Sequence, residues 1–319
     1  RLVRELDDRA QVLTAFPVAL DPERLVLPAG DGPGFLADFL RQPLPPGRFV
    51  KTTGHFVGVN LRTDSRDYRY HFLTDPAELC DIDTEALDET RAAVAALGAD
   101  CLALHCDVSD RAAVDAMFDE AAQRFGPVHV LVNNAARIPN NEVEVERRNR
   151  HYAYVTTPQP RRALGIVSSL SDDDWLKWWG VNVHGVFFCT RAALRQMEPQ
   201  GAGRIVNIAS VAGMGVASLH SPGYSATKAA VISLTKTTAV DVAGANIYVN
   251  AIACGGVLTP PFEAYLAGAT PEQRASLYQM VPAGRLGRPE EYASLAVYLA
   301  AGEHYLVGQV ISPNGGLVV

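Results

Sequence analysis

The stretch that decides the fold lies at residues 101–136, CLALHCDVSDRAAVDAMFDEAAQRFGPVHVLVNNAA. It begins with the short apolar run Cys101–Cys106 and reaches a second apolar run at Val128–Val132. Both runs are too short for a helix and predict buried strands. Between them, Ala112–Phe125 has a helical pattern. Strand, helix and strand in this order predict two parallel strands joined by a crossover helix.

The same alternation continues on both sides of this unit. Two further apolar runs, Arg204–Ala209 and Ile247–Ala253, predict buried strands, and Glu85–Leu97 and Tyr224–Val242 predict helices. Apolar strands that alternate with helices are typical of a parallel sheet that is covered on both faces. The sequence therefore predicts an α/β fold with a doubly wound parallel sheet and helices on both faces.

The composition restricts the class of protein. The 319 residues carry a formal net charge of −7, and an acidic chain lacks the basic surface that binds nucleic acid. No apolar run approaches the roughly 20 residues of a membrane helix, and no signal peptide is evident at the start. The 5 cysteines are scattered and have no metal-ligand spacing. We therefore expect a cytoplasmic protein with reduced thiols, no metal, and neither nucleic acid nor membrane as a partner.

We expect one domain at residues 47–319, with an N-terminal extension and an insertion. Residues 1–46 open with a helical pattern and continue into a proline-rich segment, which predicts an arm without a core of its own. Residues 137–170 have no steady period and predict a long irregular loop. This insertion is rich in arginine, at Arg137, Arg147, Arg148, Arg150, Arg161 and Arg162. It would either bind an anionic ligand tail over the mouth of the site or pair with a neighbouring subunit.

A tyrosine and a lysine four residues apart carry the first chemical signal. Tyr224 and Lys228, in Tyr-Ser-Ala-Thr-Lys, share one face of a predicted helix. A phenol has an ordinary pKa of about 10, and a neighbouring ammonium group favours the phenolate and lowers that pKa. The pair is therefore a candidate general acid/base, although the same spacing also occurs on many exposed helices.

Polar residues upstream strengthen this interpretation. Ser210 ends the predicted strand Arg204–Ala209, at the edge where open α/β sheets bind ligands, and would hydrogen-bond a substrate oxygen. Asn182 falls in a helical stretch and would hold a water molecule for proton relay through the lysine. Residues 133–136, Asn-Asn-Ala-Ala, follow another predicted strand, and small side chains there would let a ring or ribose approach the backbone.

Five motifs occur in a fixed order along the chain, namely NNAA, VNVHG, NIAS, YSATK and GGVLT. Together they resemble the signature of the classical short-chain dehydrogenases/reductases over roughly residues 80–319. The resemblance implies a Rossmann-type fold. It also implies an NAD(P)-dependent oxidoreductase that interconverts a secondary alcohol and a ketone by hydride transfer.

The resemblance implies a role for each motif residue. Tyr224 would be the acid/base, and Lys228 would lower its pKa and bind the nicotinamide ribose. Ser210 would orient the substrate oxygen, and Asn182 would complete the tetrad. Thr259 would contact the nicotinamide carboxamide, and Asp107 and Val108 would flank the adenine. Asn133 and Ala135 would lie along the cofactor. A homotetramer is also implied, with the apolar run Gln309–Val319 in an interface.

The phosphate-binding turn that the resemblance requires is incomplete. Residues 47–54 would supply the first strand and the start of the turn. Gly54 would permit the tight turn, and Gly58 would permit the close approach to pyrophosphate. Asn60 stands where the family has a third glycine. An ordinary glycine-containing turn is the alternative.

Cofactor choice depends on a carboxylate after the next strand. That strand is expected to end at Asp81, whose carboxylate would accept hydrogen bonds from the adenosine ribose and repel a 2′-phosphate. We therefore expect NAD rather than NADP. Asp75 is a rival for the same role.

Two classes of function remain open from the sequence. An intact tetrad favours an active dehydrogenase or reductase, whereas the incomplete turn favours a nucleotide-binding regulatory protein on the same fold with weak or lost catalysis. Cys254 replaces the proline that the family usually has before Gly255, and we interpret it as an inert small side chain rather than as a group facing the nicotinamide. Apolar residues within 260–280 predict a pocket cover but leave the substrate undefined.

Overall fold

The structure is a computed structural model that describes residues 55–59, 77–96, 100–139, 141–215, 218, 220–301 and 304–319. The N-terminal arm predicted at residues 1–46 lies outside the described residues. So do Gly54, Asn60 and Asp75.

The described strands are short, and β3 to β6 overlap the four apolar runs that predict strands. They are β1 (His55–Val59), β2 (Ala77–Asp81), β3 (Cys101–His105), β4 (Val128–Asn133), β5 (Gly203–Ser210), β6 (Ile247–Cys254) and β7 (Val310–Ile311).

The described α-helices alternate with these strands over much of the chain. They are α1 (Thr84–Ala96), α2 (Arg111–Phe125), α3 (Glu142–Thr156), α4 (Asp172–Trp179), α5 (Val186–Gln200), α6 (Pro222–Val242), α7 (Pro260–Gly268), α8 (Pro271–Gln279) and α9 (Pro289–Ala301). A π-helical segment, Gly180–Gly185, joins α4 to α5.

The strands form one sheet in the order β3-β2-β1-β4-β5-β6-β7. Every neighbouring pair of strands is parallel. The strand order reverses between β1 and β4, so the crossovers from these two strands leave in opposite directions. The predicted α/β fold with a doubly wound parallel sheet is confirmed.

Alternate side chains of the strands supply two cores. On one face, Leu131 and Ile205 pack into a cluster that includes residues of α2, α5 and the end of α6. On the other face, Val132 and Val206 pack with Leu299 and its neighbours on α9. Burial on both faces explains why these strands are continuous apolar runs in the sequence.

Strand β1 corrects the predicted position of the phosphate-binding turn. Gly58 lies inside β1, where it is in register with Leu79 of β2 and Val132 of β4. A residue paired on both sides within a sheet cannot lie in the turn that follows the strand. The predicted strand within 47–54 was therefore too early, and the turn after β1 lies outside the described residues.

The insertion is also corrected, because residues 142–156 form helix α3 rather than an irregular loop. The Asn141 side chain caps this helix by accepting a hydrogen bond from the Glu144 amide at 2.9 Å. Its buried positions include Glu144 and Arg147, with exposed fractions of 2% and 8%. A helix that turns charged residues inward has no apolar period, and this concealed it in the sequence.

Candidate active site

A cavity of about 830 Å³ opens at the carboxyl ends of β2, β3 and β4, beside the reversal in strand order. Its walls include Asp81, Asp107, Val108 and Ala135. Open α/β sheets bind nucleotides at this position. Three residues predicted to contact the adenosine, Asp81, Asp107 and Val108, are thus brought together in one cavity with Ala135, which was predicted to lie along the cofactor.

Asp81 ends strand β2, as predicted, and is buried in the cavity wall with an exposed fraction of 5%. The amide of Asp83 donates a hydrogen bond to its Oδ1 at 3.0 Å. This bond fixes the carboxylate at the strand end. A fixed carboxylate here fits the two hydroxyls of a ribose, because it is an acceptor only.

Asp107 and Val108 form the next part of the wall. Oδ1 of Asp107 accepts hydrogen bonds from the amide and the hydroxyl of Ser109, at 2.9 and 2.7 Å. Val108 packs on Gly185, where an added Cβ would lie 2.7 Å from a methyl carbon of Val108. The π-helical segment therefore approaches this wall as closely as a glycine allows.

The cavity fits the adenosine half of a nicotinamide dinucleotide. It lies at the strand ends where such folds bind nucleotides, one of these strands ends in an acidic residue, and part of the wall is apolar. Asp81 would hold the ribose, and Val108 and Ala135 would lie against the base and the backbone of the cofactor. The residues that would cradle the pyrophosphate follow β1 and lie outside the described residues.

Tyr224 and Lys228 lie on one face of α6, and the Lys228 ammonium is 5.8 Å from the centre of the Tyr224 ring. Lys228 is buried, and its ammonium donates a hydrogen bond to the Ile208 carbonyl of β5 at 2.7 Å. Burial lowers the pKa of Lys228 to about 8. The group therefore stays largely protonated at neutral pH.

Lowering of the Tyr224 pKa by Lys228 stays a prediction, and burial dominates this pKa in the cofactor-free chain. Burial raises the pKa of Tyr224 to about 12, and the hydrogen bond with Ser210 offsets only part of this rise. The ammonium of Lys228 is directed at the Ile208 carbonyl. The Tyr224 phenol is thus a proton donor at neutral pH in the cofactor-free chain.

Ser210 ends β5 beside the Tyr224 phenol. Its hydroxyl donates to the Cys254 carbonyl at 3.4 Å and accepts from the Ala212 amide at 3.2 Å. The Ser210 hydroxyl lies near enough to the Tyr224 phenol to lower the pKa of that phenol, and both side chains stand at the sheet edge. Burial raises the pKa of the neighbouring Cys254 thiol to about 12, which agrees with an inert side chain.

Asn182 lies in the π-helical segment, within the stretch predicted as helical. Its Oδ1 accepts from the Arg137 amide at 2.7 Å, and its Nδ2 donates to the Arg137 carbonyl at 3.1 Å and to Oγ1 of Thr227 at 3.2 Å. The side chain therefore joins the segment after β4 to helix α6. Both Nδ2 protons are donated within the protein, so a relayed water would bind at the second lone pair of Oδ1 or at the main chain of Asn182.

The side chain of Asn133 is directed into the core, and contact of its main chain with the cofactor stays a prediction. Its side chain is buried and donates to Oγ1 of Thr190 at 3.1 Å and to Oδ1 of Asn207 at 2.8 Å. Asn207 in turn donates to Oγ1 of Thr235 at 2.9 Å. The Asn133 side chain thus ties β4 to β5 and to α5 inside the core. Ala135, two residues later, is the part of this motif that lines the cavity.

Thr259 lies before helix α7, after the Gly255-Gly256 turn that follows β6. Its side chain makes no capping hydrogen bond to the helix. The two glycines are required by close packing, because an added Cβ would lie 2.7 Å from Asn314 at Gly255 and 2.7 Å from Leu286 at Gly256.

Two residues beside these groups, Lys177 and Trp178, were not singled out from the sequence, and Arg137 was singled out only as one of the arginines of the insertion. Arg137 and Lys177 line the cavity, and Trp178 packs edge-on against Tyr224 with 5.8 Å between ring centres. Arg137 directly follows the Asn-Asn-Ala-Ala motif, and Trp178 stands four residues before Asn182. These offsets from known motifs are the signal that would have found them.

Helix α3 of the insertion reaches the start of the helix that carries Tyr224. The Ser221 hydroxyl, one residue before α6, donates to Oε1 of Glu144 at 3.2 Å. The Arg147 guanidinium lies 4.0 Å from the Asp174 carboxylate of α4. Binding of an anionic substrate tail by the insertion stays a prediction.

The comparisons with known proteins agree with this geometry. Residues 78–318 match the family model described as "Enoyl-(Acyl carrier protein) reductase". The 3-oxoacyl-[acyl-carrier-protein] reductase FabG of Thermotoga maritima is 36% identical over 218 residues, which are 67% of this chain and 75% of the relative.

Two solved structures are similar to the chain. Levodione reductase has a TM-score of 0.69 and 26% identity, over 83% of this chain and 97% of that one. A single-residue variant of actinorhodin polyketide ketoreductase, solved with NADPH, has a TM-score of 0.63 and 29% identity, over 76% and 87% of the two chains.

The fold and the site define an oxidoreductase of the nucleotide-binding α/β class. The chain belongs to the short-chain dehydrogenase/reductase family and is an NAD(P)-dependent oxidoreductase. No helix in the described part of the chain is long and apolar enough to span a membrane.

Proposed function

We propose that the chain interconverts a secondary alcohol and a ketone by hydride transfer, with Asn182, Ser210, Tyr224 and Lys228 as its tetrad. The observation that carries this proposal is that Ser210 ends β5 at the carboxyl edge of the sheet beside Tyr224, while the Lys228 ammonium lies 5.8 Å from the centre of the Tyr224 ring. Adjacent hydroxyls hold one substrate oxygen, and a buried cation stabilises negative charge that develops near it.

Each residue has a separate task in this reaction. The bound dinucleotide would supply or accept the hydride. In reduction, Tyr224 donates its proton to the carbonyl oxygen, and Ser210 donates a hydrogen bond that orients that oxygen. Lys228, whose ammonium bonds the Ile208 carbonyl, would also hold the cofactor ribose. Asn182 holds the segment after β4 against α6, and its main-chain carbonyl binds the water that resupplies the proton.

The substrate class follows from the relatives only in outline. The names of the similar proteins include a 3-oxoacyl carrier-protein reductase, a levodione reductase and a polyketide ketoreductase. All three names describe reductions of a carbonyl compound. We propose a ketone as the substrate, and reduction as the favoured direction while Tyr224 is protonated.

The test is a turnover assay with the purified full chain. Acetoacetyl-CoA, a cyclic ketone and a linear ketone are each offered with NADH and with NADPH, and cofactor oxidation is followed by absorbance. Turnover with at least one ketone supports the proposal. Quenching of tryptophan fluorescence by NADH without turnover of any probe would instead favour a regulatory nucleotide-binding protein.

We further propose NAD as the preferred cofactor, because the Asp81 carboxylate would repel a 2′-phosphate. The expected result of Asp81→Ala is a shift of the NADPH/NADH ratio of kcat/KM toward NADPH by about ten-fold, equivalent to about 1.4 kcal/mol. Both ratios are measured with the same ketone. Asp88→Ala is the matched control, because Asp88 is exposed on α1 and pairs with Arg91. A ratio that does not change in Asp81→Ala would contradict this role.

We propose a homotetramer as the working assembly. Besides the run Gln309–Val319, apolar side chains are exposed on the outer helices, among them Phe187 of α5 and Val240 of α6. Burial of such side chains between subunits would favour association. Light scattering of the purified chain at micromolar concentration is expected to give the mass of four chains, and a monomer mass would rule the assembly out.

A further inference from the structure

Trp178 is the largest buried side chain in contact with Tyr224. Its exposed fraction is 1%, and its ring meets the Tyr224 ring at 66° with 5.8 Å between centres. Edge-to-face pairs at this distance are favourable and have a defined orientation. The orientation of the Trp178 ring therefore bears directly on the orientation of the Tyr224 ring.

The Trp178 ring also fills the space above Gly223, the residue before Tyr224. An added Cβ at Gly223 would lie 2.4 Å from Cδ1 and 2.8 Å from Cγ of the Trp178 ring. No side chain fits there without displacing the ring. The absence of a side chain at Gly223 is thus what admits the tryptophan against helix α6.

Arg137, which lines the cavity, packs its guanidinium on the Trp178 ring. The Arg137 guanidinium carbon lies 4.8 Å from the centre of the Trp178 ring, and the guanidinium pairs with the Asp174 carboxylate at 2.7 Å. The main chain of Arg137 is bound on both its amide and its carbonyl by Asn182. Arg137 is therefore fixed at its backbone and at its charged end, and a fixed cation on an indole ring is stabilising.

We propose that Trp178 is a positioning residue that sets the orientation of the Tyr224 phenol through its contact with Gly223 and its fixation by Arg137 and Asp174. This inference rests on the proposed role of Tyr224 as acid/base. It assigns a function to three residues that lie outside the tetrad. A misplacement of a reacting group by about 1 Å can cost about 100-fold in rate, so the effect of a displaced ring is measurable.

The first test is a double-mutant cycle between Gly223→Ala and Trp178→Leu in the full-length chain. Alanine is a good helix former, so Gly223→Ala by itself does not weaken α6. We expect Gly223→Ala to lower kcat for the ketone that gave turnover by about 10- to 100-fold, with KM for NADH unchanged. In the Trp178→Leu background, the same substitution should change kcat by less than about two-fold, because the ring it displaces is gone.

A second readout does not depend on turnover. Carbon NMR of the chain with tyrosine labelled at Cζ gives the pKa of Tyr224, with the resonance assigned by Tyr224→Phe. The titratable groups facing Tyr224 are Lys228 on its own helix and Cys254 on β6, and Arg137 and Asp174 lie beyond Trp178. Displacement of the ring admits water, so the pKa of Tyr224 should fall from about 12 toward its ordinary value in Gly223→Ala and in Trp178→Leu.

Gly244→Ala is the matched control, because an added Cβ there meets no atom within 4 Å. Trp178→Phe is the variant to use where Gly223→Ala does not fold, and its kcat should lie between those of the wild type and Trp178→Leu. A wild-type kcat and an unchanged Tyr224 pKa in Trp178→Leu would overturn the proposal, as would equal losses from Gly223→Ala in both backgrounds. Wild-type turnover in Tyr224→Phe would instead overturn the proposed function itself.

Discussion

Tyr224→Phe is expected to lower kcat for ketone reduction by at least about 100-fold, the scale of a general acid/base contribution. The substitution removes one oxygen and keeps the ring that packs on Trp178. The cavity that would hold the adenosine is lined by other residues, so the affinity for NADH should be unchanged. Steady-state kinetics and a fluorescence titration with NADH measure the two quantities on the same preparation.

The control for this variant is Tyr298→Phe, which removes the same oxygen from an exposed side chain on α9. It should have the kcat of the wild type. A Tyr224→Phe variant with a kcat within a few-fold of the wild type would contradict the assignment. A variant that loses NADH affinity as well would indicate a wider disturbance of the site.

The raised pKa of Tyr224 also determines how the rates of reduction and oxidation change with pH. Reduction requires the protonated phenol, which predominates at all pH values below about 12. Alcohol oxidation requires the phenolate, so its rate should rise with pH until the phenol has titrated. The positive charge of an oxidised nicotinamide ring would move this titration to lower pH. Reduction and oxidation rates measured over the same pH range test this difference.

Glu78→Leu is expected to stabilise the protein at neutral pH by roughly 3 kcal/mol. Glu78 lies on β2 with an exposed fraction of 1%, and neither of its carboxylate oxygens has a hydrogen-bond partner among the described residues. Burial, assisted by the neighbouring Cys106 and Glu120, raises its pKa from 4.5 to about 8. Denaturant unfolding followed by circular dichroism measures the free energy of unfolding.

The direction in which stability changes with pH follows from proton binding. Between about pH 4.5 and pH 8 the unfolded chain has lost the Glu78 proton while the folded chain keeps it, so stability falls as the pH rises through this window. Leucine removes this dependence, and Glu78→Gln should flatten it while keeping a buried polar group. Glu89→Leu on the exposed side of α1 is the matched control. A Glu78→Leu variant that is less stable than the wild type at neutral pH would contradict the destabilisation that we assign to the buried Glu78 carboxyl group.

The fold could be predicted where burial on both faces leaves an unambiguous pattern. Strands β3 to β6 are apolar runs, and the predicted strand end at Asp81 is confirmed because β2 ends at that residue. The prediction for β1 was wrong because His55–Val59 contains a glycine, and two glycines four residues apart resemble a phosphate turn. Local spacing cannot distinguish a glycine in a sheet from one in a turn.

Parts of the candidate site could not be predicted because they depend on contacts between distant elements. The Asn133 amide faces the core because Asn207 and Thr190 accept its hydrogen bonds from neighbouring elements. Burial raises the pKa of the Tyr224 phenol, and the spacing of residues in the sequence does not report burial. The roles of Arg137 and Trp178 likewise require the packing of α4 on α6.

The buried amides between β4 and α6 restrict the substitutions that this part of the core tolerates. Asn133 donates to Asn207, Asn207 donates to Thr235, and Thr235 donates to the Val231 carbonyl, so all the protons in this row point the same way. An aspartate at the middle position would be nearly identical in shape but would set two acceptors against each other. Substitution is therefore constrained by polarity rather than by volume. The row can be replaced as a set, but one member cannot be exchanged without leaving its neighbour with a proton and no acceptor, or with two acceptors and no proton.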